Sequence, residues 1–241
     1  MRRILALTVI LAATVAATLA AAATPAGAAD TRVTVGQGFY VAHRSARPGP
    51  WLVVVLHSRG QDWREPAAGW DPLSDQKGFT AVYPMWPETS WNAGLCCPQG
   101  STLGRDDGLW LAQVIADAKA RYRARHVAVA GTSNGGMMAE TLVWRRPWLA
   151  GRVAVWAGAP EMVGGPSAWA GRLLLLDGAS DTTVPGAGTP SAAWCSCLIR
   201  PAHQTGLFLP AAHIEGHLLA GYGHSAPSWW PARAWAFLSQ P

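Results

Sequence analysis

Apolar positions in this chain follow two spacings. Short unbroken runs such as Trp51–Leu56 have the form of strands buried on both faces, whereas Leu111, Val114, Ile115, Ala118 and Tyr122 recur on one helical face. Read along the chain, the runs predict strands over Arg32–Val35, Phe39–His43, Trp51–Leu56, Gly78–Tyr83, His126–Ala130, Arg152–Trp156, Arg172–Leu176 and Ile214–Ala220. Asp106 and Asp107 open the helix that carries the Leu111 face, where carboxylates cap and complement the dipole rather than act as catalysts or ligands. A second helix follows the fifth strand and must stop at Pro147, and a third closes the chain over Pro231–Ser239. Strands alternating with helices imply an α/β architecture, a mostly parallel sheet covered on both sides.

The fifth strand runs into Gly131-Thr132-Ser133-Asn134-Gly135-Gly136. In a strand-to-helix turn this tight only small neighbours fit beside the serine, and its oxygen is left exposed at the carboxyl end of the sheet, as in a nucleophile elbow. With 26 glycines in 241 residues, Gly-x-Ser-x-Gly alone says little. Its place between a buried strand and a helix gives it weight.

Reactive groups in such sheets collect at the carboxyl ends of strands. Asp181 lies in the loop after Arg172–Leu176, and His224 lies just beyond the last strand, so the order is Ser, Asp, His. Asp177 is nearer its strand and reads as a cap for the loop that follows. His213 and His217 belong in or beside the last strand, His43 and His126 precede the elbow in core or edge positions, and His203 has no assigned role.

Residues 1–28 carry Arg2 and Arg3, an apolar run over Ile4–Ala23, and Ala26-Gly27-Ala28, which reads as a secretory signal peptide with cleavage leaving no stable membrane anchor. Residues 29–241 then form a single domain of a secreted, extracellular protein. Without the leader 17 basic and 14 acidic residues remain, a net charge of +3. No basic run interleaved with aromatics points to nucleic acid. Four cysteines in an exported chain read as disulfides: Cys96, Cys97, Cys195 and Cys197 allow three connectivities, either two long-range bridges or local pairs. Cys-Cys and Cys-x-Cys lack the usual zinc spacing, and no metal is expected.

Gly131-Thr-Ser-Asn-Gly-Gly-Met-Met-Ala139, Trp91-Asn-Ala-Gly-Leu-Cys-Cys97, the Leu-His-x-x-Gly-Gln run at 56–61 and Gly178-x-x-Asp-x-x-Val-Pro185 resemble the secreted polyhydroxybutyrate depolymerase and feruloyl esterase family. The resemblance extends from about Phe39 to Phe237. It implies an α/β-hydrolase fold and cofactor-free hydrolysis of an ester, a polyester or a plant cell-wall ester, with Ser133, Asp181 and His224 as the triad. The chain departs from the family where Ser58 replaces the glycine after His57, where Asp177 replaces a histidine, and where Ser225-Ala226-Pro227 replaces Trp-Pro after His224. If the residue after His57 must be left-handed, Ser58 strains the loop.

On this reading His224 activates Ser133, Asp181 orients the imidazole, and backbone N–H groups of Asn134 and of Arg59 or Ser58 hold the oxyanion. Fourteen tryptophans are the clue to substrate: Trp86, Trp91, Trp229 and Trp230 are candidates to line a groove, and Trp51, Trp110, Trp156 and Trp235 are candidates for the core. Acyl transfer to a carbohydrate, or polymer binding on a degenerate hydrolase fold, are the alternative functions.

Overall fold

The computed structural model describes residues 29–97, 104–192 and 197–240. The leader at 1–28 and Cys195 lie outside them. Among the described residues no helix is long and apolar enough to cross a membrane.

Eight strands form one sheet: β1 (Ala29–Val35), β2 (Gly38–Arg44), β3 (Trp51–Leu56), β4 (Thr80–Met85), β5 (His126–Thr132), β6 (Arg152–Trp156), β7 (Arg172–Gly178) and β10 (His213–Leu219), in the order β1-β2-β4-β3-β5-β6-β7-β10. The β1–β2 and β2–β4 pairs are antiparallel, and every pair from β4 to β10 is parallel. The eight apolar runs are these eight strands, with ends that differ by a few residues. A separate ribbon of β8 (Thr189–Ala192) and β9 (Cys197–Ile199) is too short to leave a pattern.

Alternation within single strands divides the core between two faces. Leu52, Val54 and Leu56 of β3 and Leu173 and Leu175 of β7 pack on one side, with Trp110, Leu111 and Val114 of α2 (Asp107–Arg121) and Met137, Met138 and Leu142 of α3 (Asn134–Arg145). Val53, Val55, Leu174 and Leu176 pack on the other, with Trp70 of α1 (Arg64–Lys77) and Phe237 of α5 (Trp230–Leu238). Asp106 caps α2, its side chain accepting from the Leu109 N–H at 2.9 Å. The sequence leaves α1 unassigned because Pro72 sits inside it. A short helix, α4 (Thr205–Phe208), precedes β10.

Cys96 and Cys97 are bonded to each other. A bridge between adjacent residues closes no long loop, so this pair does not tie its segment to the chain after Asp181.

Candidate active site

The parallel strands bring β3, β5, β7 and β10 to a common carboxyl edge, where Leu56 stands opposite Gly131. Here β5 turns into α3 through Ser133, which has φ 55° and ψ −126°. Such a conformation is uncommon for a residue with a side chain, and the surroundings hold it in place. The Ser133 N–H donates to the Trp156 carbonyl at 2.9 Å, and the Ser133 carbonyl accepts from the Met137 N–H at 3.0 Å. A Cβ on Gly131 would fall 2.3 Å from the Gly135 carbonyl oxygen, and one on Gly135 would fall 2.3 Å from that of Leu56. Backbone fills both places, so only glycine allows this close approach.

Three side chains predicted from separate loops meet at this turn. His224 Nε2 lies 2.9 Å from Ser133 Oγ, and His224 Nδ1 lies 2.8 Å from Asp181 Oδ2. The other oxygen of Asp181 accepts the Thr183 and Val184 N–H groups at 2.8 and 2.9 Å. Asp181 thereby shapes its own loop while it faces the imidazole, and it takes the capping role expected of Asp177. The Asp177 Oδ1 is buried with no hydrogen-bond partner, and burial, with the Asp181 charge second, lifts its pKa to about 7. The His224 carbonyl accepts from the Trp156 indole N–H at 2.9 Å, which anchors the histidine loop to β6.

The loop after β3 is shaped by His57. Its Nδ1 donates to the Ser58 carbonyl at 2.8 Å, and the Gln61 N–H reaches the same oxygen at 3.1 Å. A trans peptide is planar, so holding the Ser58 carbonyl toward buried His57 turns the Arg59 N–H the opposite way. Burial lowers the His57 pKa, which keeps the ring neutral and its Nδ1 proton in this bond. Ser58 does not strain the loop: Gly60, with φ 76°, takes the left-handed position, and Ser58 is not among the positive-φ residues. Asn134 opens α3, so its N–H is one of those a helix leaves without an internal acceptor.

A cavity of about 540 Å³ stands over Ser133 and His224, walled by Ser58, Arg59, Glu65 and Thr183. Burial raises the Glu65 pKa, and hydrogen bonds from Ser58 oppose the shift. The tryptophans predicted to line a groove are not in this wall. Trp91 is 1% exposed and forms part of the site's support, donating through Nε1 to the His57 carbonyl at 3.0 Å. Trp86 packs edge-on against Trp110, Trp229 packs against Trp156 and donates to the Tyr222 hydroxyl at 3.0 Å, and Trp230 is buried. Their size is better satisfied by packing than by solvent. Sequence reasoning missed His57 and Glu65, and the Leu-His-x-x-Gly-Gln run was the signal available for the former.

Among the described residues, one group has ligand atoms close enough together to hold a cation: Asp30, His43 and Asp71. Both ring nitrogens of His43 already face carboxylates, Asp30 at 2.7 Å and Asp75 at 3.1 Å. These residues belong to β1, β2 and α1 and do not wall the Ser133 cavity.

No protein-family model matches the chain. A stretch of 127 residues is 30% identical to an acetylxylan esterase of Coprinopsis cinerea, covering 50% of this chain and 34% of that protein. The chain thus spans about a third of that relative's length. Among solved structures, an acetyl xylan esterase from Aspergillus awamori superimposes with a TM-score of 0.61 at 18% identity, over 83% of this chain and 95% of its own. A carboxylesterase from Mesorhizobium loti gives 0.61 at 18% identity over 88% and 99%, and TT1662 from Thermus thermophilus gives 0.65 at 16% identity over 88% and 96%. With its parallel sheet, its helices on both faces and a serine elbow at the carboxyl edge, the chain has the α/β-hydrolase fold.

Proposed function

We propose that the protein is a serine carboxylic-ester hydrolase, secreted after loss of residues 1–28, with Ser133 as nucleophile, His224 as general base and acid, and Asp181 as the group that orients the imidazole. The observation that carries this reading is the unbroken chain of contacts from Ser133 Oγ to His224 Nε2 at 2.9 Å and from His224 Nδ1 to Asp181 Oδ2 at 2.8 Å. The partial sequence similarity to an acetylxylan esterase supports ester chemistry.

In the first half-reaction Ser133 Oγ bonds to the ester carbonyl carbon as His224 Nε2 takes its proton. The N–H groups of Arg59 and Asn134 donate to the oxyanion, and the alcohol leaves with the proton that His224 returns. In the second half-reaction water attacks the acyl-serine, again losing a proton to His224. The acid is released and Ser133 recovers its hydrogen.

For the substrate, the cavity favours a small acyl group on a hydroxyl-rich alcohol over a feruloyl group or a polyester. Its wall of Ser58, Arg59, Gln61, Glu65 and Thr183 offers hydrogen-bonding groups, and its lining includes no phenylalanine, tyrosine or tryptophan on which a phenyl ring would stack. An acetylated cell-wall polysaccharide fits these surroundings and agrees with the name of the relative. Fluorophosphonate labelling of the folded protein, with mass spectrometry to locate the adduct, tests the mechanism. The expected adduct is on Ser133, and a folded protein that stays unlabelled would sink the reading. Acetyl, feruloyl and polyhydroxybutyrate esters compared on the labelled-competent enzyme test the substrate, with acetyl esters expected to be cleaved fastest.

A further inference from the structure

A second cavity, of about 430 Å³, lies against β7 and β10, away from Ser133. Its sheet wall is built from residues on one face of the two strands: Leu175 and Asp177 of β7, and Ile214, Gly216 and Leu218 of β10. The segment from Ala202 to Gly206 forms the opposite wall. The wall is mostly apolar, with Leu218 63% exposed, and it also carries the side chains of His203 and His217. Apolar side chains left in water around a concavity mark a place where something apolar binds.

Room inside the cavity comes from glycine. A Cβ placed on Gly216 or on Gly206 meets no atom within 4 Å, so both positions border open space.

The one carboxylate of the lining is Asp177. It is 5% exposed, and its Oδ1 has no hydrogen-bond partner. Leaving such an oxygen unpaired costs about 1–3 kcal/mol, more when it is charged. Asp181 repels it, His224 attracts it without a hydrogen bond to it, and the Thr205 hydroxyl is turned to Glu140 at 2.9 Å. A donor carrying positive charge supplies the missing hydrogen bond and offsets the repulsion from Asp181, and an aliphatic tail covers Leu175, Ile214 and Leu218.

We infer that this cavity is a binding site for a small primary amine, its ammonium head on Asp177 and its aliphatic chain along the β7–β10 wall.

Isothermal titration calorimetry of the full secreted protein with n-hexylammonium at pH 8 tests the inference, with 1-hexanol as the uncharged comparator. Saturable binding by the wild type is expected, weaker for hexanol by about tenfold, the worth of a charge-assisted hydrogen bond. Asp177→Asn should lose a similar factor. Gly216→Phe, which fills the cavity with Asp177 intact and suits a strand, should abolish binding. The inference is overturned if the wild type does not bind, if hexanol binds as tightly as the amine, or if either folded variant keeps the wild-type affinity. A variant that fails to fold leaves the decision to the other variant and the hexanol comparison.

Discussion

The Asn134 carboxamide and the Trp91 main chain are paired twice: the Trp91 N–H donates to Asn134 Oδ1 at 2.7 Å, and Asn134 Nδ2 donates to the Trp91 carbonyl at 3.0 Å. Through its indole the same tryptophan holds the His57 carbonyl at 3.0 Å. Trp91 therefore links the two segments whose N–H groups are proposed to receive the oxyanion. Trp91→Phe keeps the ring and the main-chain pair but removes the indole donor. It is expected to lower kcat about tenfold, below the loss for deleting an oxyanion donor, with KM changed little. Rates per serine titrated with fluorophosphonate separate this from a loss of folded protein, and an unchanged kcat would remove Trp91 from the support of the hole.

Ser133 carries backbone strain at the turn from β5 into α3, where its φ is 55°. Ser133→Ala keeps a Cβ at φ 55° and should abolish turnover with little change in stability. Ser133→Gly should be equally inactive but more stable than the alanine variant by about 1 kcal/mol. Urea midpoints decide it, and equal midpoints would show that the turn is not strained.

Gly135 marks the closest packing of the elbow. A methyl group there would meet the Leu56 and His57 carbonyl oxygens at 2.3 and 2.6 Å, backbone atoms at the head of the loop that follows β3. Gly135→Ala is expected to cost roughly 1–3 kcal/mol, as overpacking does, and to displace that loop, so that activity falls further than stability alone explains. Thermal melts paired with rates per titrated serine provide the check.

Alkaline pH should destabilise the fold. Burial lifts Glu140 to about 8 and Glu161 to about 7, and it lifts Asp177 to about 7. Each group holds its proton in the native state at a pH where the unfolded chain has lost it. Their contribution to stability is therefore complete below the ordinary carboxylate range and is lost as pH rises through these folded-state values. Unfolding midpoints should fall between about pH 5 and 8, by at most about 1.4 kcal/mol per unit for each group. Glu140→Gln, which still accepts from Thr205, should make that fall shallower, and an unaltered slope would show that Glu140 is ionised in the native protein.

The parts of this protein legible in its sequence are those set by local spacing. Trp51–Leu56 and Arg172–Leu176 read as buried strands because burial on both faces demands an apolar residue at every position, wherever the strand finds its partners. The elbow is legible for a similar reason: its turn tolerates only small residues, whatever packs around it. Ser133, Asp181 and His224 could be named because each follows a strand, and the sheet brings strand ends together.

What tertiary structure alone decided is how the candidate residues are placed. Asp177 lies at the end of β7 and Asp181 in the loop beyond it; the sequence favours Asp181 as the partner of the imidazole, and the fold makes the contact. The Gly178 turn carries Asp181 toward His224 and leaves Asp177 facing the β10 side. Trp91 reads equally as groove or core, and its burial depends on Asn134, His57 and Trp110, which lie at distant positions in the chain. Ser58 reads as strained only until Gly60 is seen to take the left-handed position. For Asp181 and Trp91 the deciding contact is made between segments remote in sequence, and local pattern carries no record of such contacts.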